Sequence, residues 1–516
     1  MNLLLWVSAA VAGTMSTPPE FAEFTADEWR FVRVDIPDYP EALTSSTYGS
    51  MLESPPVDGT SWRTESIAVP DAYDAYEAKE ALGTEAWLEH HADGNGIDVA
   101  VFDIQWSDTA LREAELGEYS THDCYTHRSC DAEMDTLRER FSFEQGGHGV
   151  ACAEVIRDLA PGVNLHLVRV NGLTTFEKAA DWAIRNDIDI ISMSLSFFGE
   201  SFFDGTGAVS AVVDDLAKAG VLLVTSAGNY AQSHWLGNFE DSDLDGFHKF
   251  DEDEYLPIYF SSTGSHRVTL TWDEFGFCGR SDFDLYVYAS DGSVVGKAEE
   301  VQSSSNNRCQ PTEGATAWVE SPGWYYAAVR RDRGTDSSTR FSIIARSGYV
   351  YDGTPEGSIT DPGAHPMAFT VGAVDATGYL QNDVESFSSR GPTRNGLAKP
   401  DLIGPDGLSS RTYGERSFYG TSASAPAVAA AIALIMSEDK SLTPYDAAAL
   451  LKAHAISTRP IWAKPDPENG AGYARLPISV GEEVGCRGGA LLLPILLWFP
   501  LFRIRKSLTL EPGKDS

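Results

Sequence analysis

The stretch Gly420-Thr421-Ser422-Ala423-Ser424-Ala425-Pro426, running directly into the small-residue segment Ala427 to Met436, decides how the rest of the chain is read. Gly420 permits a backbone conformation that a β-carbon would disfavour. The Ala-rich run after it describes a helix slim enough to pack closely against its neighbours. Pro426 is read as lying in the first helical turn, where a missing N–H is tolerated. Ser422 then falls beside a helix N-terminus, whose unpaired N–H groups favour developing negative charge. That setting suits a nucleophilic serine, although Thr-Ser-x-Ser by itself reads first as a plain helix cap. The choice depends on what lies upstream.

From Ala86 onward, β-prone runs alternate with helical spacing. Ile97–Phe102, Asn164–Val170, Ile188–Met193 and Val221–Val224 have the composition of buried strands, and Phe176–Asn186 and Val209–Ala219 repeat at helical intervals. This alternation predicts an α/β fold in three layers, a mainly parallel sheet covered by helices. Functional groups are expected beyond the carboxyl ends of such strands. Asp103 ends the first run, and Asn229 follows a later one in Thr225-Ser226-Ala227-Gly228-Asn229. Between them, Gly146-Gly147-His148-Gly149-Val150-Ala151 opens a helix. Taken singly, these residues suit a turn former, a loop cap and a core histidine.

Together, the blocks resemble the subtilisin-like serine peptidases, or subtilases. Val99-Ala100-Val101-Phe102-Asp103 is similar to the family's aspartate block but departs from it at Ile104 and Gln105; Val150 and Ala423 are the other departures. Phe387-Ser388-Ser389-Arg390-Gly391-Pro392 and Lys399 to Pro405 resemble the family's approach to the serine. The order Asp, His, Ser also matches. The resemblance spans about Ala86–Asn229 and Ala364–Ala474. It implies Ser422 as nucleophile, His148 as general base and Asp103 as its orienting partner, with Asn229 and the Ser422 N–H holding the oxyanion. It further implies that Ser194, Leu195 and Ser196 line the substrate cleft as an extended strand. Protein or peptide substrates and an acyl-enzyme follow from the same resemblance. The alternatives are a decayed adhesion protein, or a peptidase restricted to itself or one partner. Retention of Asp103, His148, Ser422 and Asn229 argues against decay.

The segment between the two matched parts has another texture. Arg267–Trp272, Phe283–Tyr288, Gly323–Val329 and Phe341–Ala345 read as strands separated by Gly-, Ser- and Asp-rich turns, which predicts a β-sandwich within an insertion over 231–345 that also holds a calcium-loop segment. It is similar to the sandwich domains appended to secreted bacterial peptidases. Just before it, Asp241, Asp243, Asp245, the Phe247 carbonyl and Glu252 fit the twelve-position calcium-loop template around Gly246. Structural calcium is therefore expected, without a catalytic cofactor.

The ends of the chain carry targeting signals. Residues 1–12 read as a secretory signal with Ala10-Val11-Ala12 at its cleavage site. Residues 13–79 read as a propeptide or an N-terminal extension. In 481–516, Cys486 precedes an apolar run from Ala490 to Phe502, interrupted by Pro494 and Pro500, and then Arg503-Ile504-Arg505-Lys506. That run is short for a span, so a buried helix is one reading. The other is a resemblance to C-terminal sorting tails, which implies attachment to a membrane or cell surface, with Cys486 serving processing. The catalytic parts are placed at 80–230 and 346–480.

Composition agrees with export. A formal charge of −38, from 76 acidic and 38 basic residues, excludes a nucleic-acid binder built on clustered Lys and Arg. Among six cysteines, spacing suggests the pairs Cys124–Cys130 and Cys278–Cys309, leaving Cys152 and Cys486 unpaired. A monomer is expected.

Overall fold

The computed structural model describes residues 74–477 apart from 91, 108–109, 112–113, 128, 135–145, 278, 304–308, 335–337 and 458–465, and two short strands nearer the N-terminus. The signal, nearly all of 13–79, the tail with Cys486, and Cys278 lie outside the described residues. The early strands β1 (Ala22–Glu23) and β2 (Val32–Arg33) pair antiparallel.

The chain then runs through α1 (Tyr76–Leu82), α2 (Glu85–Glu89), β3 (Asp98–Asp103), β4 (Tyr119–Asp123), α3 (His148–Leu159), β5 (Asn164–Arg169), α4 (Leu173–Arg185), β6 (Ile190–Met193), α5 (Gly207–Ala219) and β7 (Leu222–Ser226). After a β-rich segment described below, it continues with β17 (Phe369–Asp375), β18 (Leu402–Asp406), β19 (Leu408–Ser410), β20 (Gly414–Phe418), α6 (Thr421–Glu438) and α7 (Pro444–His454).

Seven strands form one sheet in the order β18-β17-β7-β6-β3-β5-β4, and every neighbouring pair in it is parallel. Period-two alternation explains its two covered faces. In β3, Val99 and Val101 join the core made with α3 and α6, whereas Ala100 and Phe102 join the core made with α4 and α5. This is the subtilisin-like α/β architecture.

Helix α6 is buried on every side from Thr421 to Met436. Alanines allow this, because a helix with short side chains fits between sheet and neighbours without voids. Its length and hydropathy would suit a membrane crossing, yet here it is the core helix of the fold. It also begins earlier than the Ala-rich run suggests. Pro426 is therefore not in the first turn but inside the helix, and its missing N–H releases the Ser422 carbonyl from helical bonding.

The intervening segment holds β8 (His234–Asn238), β9 (Leu256–Phe260), β10 (Gly264–Trp272), β11 (Asp282–Ala289), β12 (Val294–Ala298), β13 (Thr312–Val319), β14 (Gly323–Arg333), β15 (Arg340–Ala345) and β16 (Gly348–Val350). They form two antiparallel sheets, β13-β10-β15-β8 and β12-β11-β14-β9-β16. Trp272, Phe260, Phe283 and Phe341 fill the core between them. The strands thus run slightly past 345, to Val350. The parallel sheet closes across the insertion: β7 and β17 pair directly, Val224 opposite Phe369.

An apolar cluster joins the two parts, with Phe198, Phe203 and Tyr230 packing on Ile344 of β15. Arg394 lies over Phe202 and Phe203, 4.4 and 4.6 Å from the ring centroids, and its Nη2–H donates to His234 Nε2 at 3.1 Å. His234 Nδ1–H donates to the Thr354 carbonyl at 2.6 Å. Burial, and then the adjacent Arg394, push His234 down to about 3. It therefore stays neutral and can accept from the cation.

Cys124 and Cys130 lie with their sulfurs at bonding distance, 2.10 Å. Cys309 is disulfide-bonded, and Cys152 is free and buried.

Candidate active site

Asp103 is the last residue of β3 and has no solvent exposure. Its Oδ1 accepts from the backbone N–H groups of Ile104 (2.8 Å) and Gln105 (3.0 Å). Its Oδ2 faces His148 Nδ1 at 2.6 Å. A carboxylate so placed accepts, so Nδ1 carries the proton and Nε2 offers its lone pair. Nε2 is buried and has no protein partner among the described residues. The imidazole is further held edge-to-face by Phe418, with centroids 6.0 Å apart.

Glycines make this approach feasible. A β-carbon on Gly149, next to His148 in the first turn of α3, would lie 2.7 Å from Asp103 Cβ. Gly420, at φ 102°, faces Asn229, and a β-carbon there would meet Asn229 Nδ2 at 2.9 Å. The Asn229 amide is oriented by Thr421, whose N–H and Oγ1–H donate to its Oδ1 at 3.0 and 2.9 Å. Its two N–H donors are thereby turned away from Thr421. Thr421 Oγ1 also accepts from Gly228 N–H at 3.2 Å.

Ser422 is the second residue of α6 and is buried. Its N–H is among those a helix start leaves without an intrahelical carbonyl. Its own carbonyl, released by Pro426, accepts from Ser194 Oγ at 3.1 Å and from the Cys152 thiol at 3.6 Å. One backbone oxygen therefore links α6 to α3 and to the segment after β6. Burial, with Asp103 adding to it, pushes the Cys152 thiol well above its ordinary range, so it remains a neutral donor.

Of the cleft segment, Ser194 anchors to Ser422 as described, Leu195 points into the apolar core, and Ser196 Oγ accepts from Thr360 Oγ1 at 2.9 Å. Sequence reading missed Thr421, Thr360 and Asp406. Asp406, at the end of β18, accepts the Gly420 N–H at 2.8 Å and so fixes the turn entering α6. Burial, and then Glu385, hold its carboxyl well above the usual range. Its position right after Lys399–Pro405 was the available signal.

At the calcium-loop motif, Asp241, Asp243 and Asp245 bring carboxylate oxygens within 4.8 Å of one another. Asp241 is oriented by Gly246 N–H at 3.2 Å, and its other oxygen is buried without a partner. That orphaned oxygen suits a hard cation. Glu252 is not part of the group. Lys249 Nζ lies 2.8 Å from Asp243, and Phe247 N–H donates to Asp245 at 2.9 Å.

A parallel α/β sheet with a buried carboxylate–imidazole pair, a serine at the head of the core helix and an amide beside it defines a subtilisin-like protein. The chain belongs to the subtilase family, whose sequence profile matches residues 94–246 and 286–476, more than half of the chain. Serine protease AprX of Bacillus subtilis is 35% identical over 144 residues, covering 24% of this chain and 32% of that protein. Minor extracellular protease Vpr of the same organism is 24% identical over 431 residues, covering 74% of this chain and 51% of its own. The chain thus spans about a third to a half of the length of these relatives. In fold, it is similar to the Clostridium perfringens CspB protease, with a TM-score of 0.53 at 17% identity, over 78% of this chain and 98% of that one.

Proposed function

We propose that this protein is an exported serine endopeptidase. The observation that carries the reading is the Asp103–His148 pair, with a buried unpartnered Nε2, set beside the head of the helix that bears Ser422. Ser422 Oγ would attack a peptide carbonyl while His148 Nε2 takes its proton, and the imidazolium would return that proton to the leaving amine. Asp103 would orient the ring and stabilise its positive charge. Asn229 Nδ2 and the Ser422 N–H would receive the oxyanion. The segment Ser194–Ser196 would hold the substrate backbone. Export follows from the signal at 1–12, and the sorting tail would attach the protein to a membrane or cell surface.

Hydrolysis of casein by the full-length protein tests this. Asn229→Ala is expected to lower kcat by about 10²–10³, roughly 3 kcal/mol of transition-state stabilisation, with KM nearly unchanged. Turnover at the parent rate would remove Asn229 from the oxyanion site.

Asp241, Asp243 and Asp245 would hold one structural calcium ion, with Lys249 swinging off Asp243 to admit it. Calcium at 100 times its Kd then stabilises the fold by about 2.7 kcal/mol. Thermal unfolding should show a calcium-dependent rise in Tm that EDTA reverses and Asp241→Asn diminishes. An unchanged Tm in saturating calcium would eliminate the site.

A further inference from the structure

A second histidine cluster lies toward the β4 edge of the parallel sheet, on β4, β5 and the start of β3. Strands β4 and β5 pair in parallel with Ser120 opposite His166, and β5 pairs with β3 so that His166 lies opposite Ala100. Period-two alternation therefore puts Ser120, His122, His166 and Asp98 on one face. This is the face covered by α4, where Trp182 lies 4.2 Å from the His122 ring and 5.7 Å from the His166 ring, centroid to centroid. Asp98 begins β3 and Asp103 ends it, about 16 Å apart along the strand, and β4, with Ser120 and His122, is two strands to the side of β3, about 10 Å away.

The hydrogen bonds fix both tautomers. His166 Nε2 faces Asp98 Oδ1 at 3.0 Å, and His122 Nδ1 faces the Cys130 carbonyl at 3.1 Å. Carboxylate and carbonyl oxygens only accept, so each of these nitrogens carries its ring's proton. The remaining nitrogens, His166 Nδ1 and His122 Nε2, both present lone pairs to one atom, Ser120 Oγ, at 2.7 and 2.9 Å. A hydroxyl has a single proton, so Ser120 cannot donate to two neutral imidazoles at once.

We propose that His122, His166 and Ser120 form a binding site for a zinc-type divalent metal ion. Neutral imidazole suits such ions. Each ring already has its second nitrogen donating to a carboxylate or a backbone carbonyl, the support that metal-bound histidines require. The ring centroids are 5.8 Å apart, and two imidazoles bonded to one ion through ~2 Å bonds have centroids about 5–6 Å apart. Solvent completes the coordination, since both His166 and Asp98 are partly exposed. The ion fastens the edge strand β4, and with it the Cys124–Cys130 loop, to the sheet.

The test uses full-length protein carrying Ser422→Ala and His148→Ala, which prevents self-cleavage and removes a competing set of possible metal ligands, Asp103, His148 and Cys152. Titration with zinc chloride, followed by calorimetry and by Tm, is expected to show a saturable equivalent that raises Tm. His122→Ala and His166→Ala each abolish it. Asp98→Asn, which preserves packing, weakens it by about 10- to 100-fold and keeps the proposal testable if an alanine variant fails to fold. Zinc binding and a Tm rise that are the same in Asp98→Asn and in a folded His122→Ala protein would overturn the site. So would the absence of any saturable equivalent, or labelling of Ser120 by a fluorophosphonate, which would make Ser120 a nucleophile.

Discussion

Ser422→Ala is expected to lower kcat for casein by about 10⁶, because in hydrolases of this kind nucleophile and base act as one unit and losing either removes nearly all of their joint contribution. The change deletes a single oxygen from a buried residue. The bonds that position Ser422 run through its backbone carbonyl, to Ser194 and Cys152, and through its neighbours Gly420 and Thr421. None involves Oγ, so the variant should fold with parent stability and bind substrate with similar KM. Steady-state kinetics beside a thermal melt separate the outcomes. Retention of more than a hundredth of parent activity would show that another group performs the attack.

Asp103→Asn is expected to cost about 10⁴ in kcat without disturbing the fold, for a reason visible in the hydrogen bonds. Two backbone N–H groups point at Oδ1, so the oxygen of an asparagine must stay there and its NH₂ must face His148. An amide NH₂ donates, which forces His148 Nδ1 to become the acceptor and moves the ring proton to Nε2. A protonated Nε2 cannot take the proton of Ser422. Raising the pH does not restore the correct tautomer, so the loss should persist at alkaline pH. Activity within tenfold of the parent would mean that Asp103 does not set the tautomer.

The sequence made the parallel sheet legible because its strands are buried on both faces and read as short apolar runs between helical repeats. Asp103, His148 and Asn229 were legible for a related reason. Each stands at an element boundary next to glycine or after a run of apolar residues, and those boundaries converge beyond the carboxyl ends of the strands. In the sandwich, the strands read from sequence were β10, β11, β14 and β15, all interior to their sheets. Edge strands β8, β12, β13 and β16 bury less and carry mixed residues; β13, for example, alternates small buried residues such as Ala315 and Ala317 with exposed positions. Pro426 was misplaced because α6 draws its stability from burial on all sides, which lets it begin at Thr421 and carry a proline within. The Thr421–Asn229 and Ser120–His166 contacts join residues far apart in sequence, and no local periodicity records such pairs.

The measurement that bears most directly on the central claim is the site of covalent labelling by a fluorophosphonate, mapped by peptide mass spectrometry on folded full-length protein. A single adduct on the Ser422 oxygen, absent from Ser422→Ala and suppressed in His148→Ala, is the predicted result. A folded parent that takes up no label, or that carries it on another serine, would contradict the assignment of Ser422 as the nucleophile.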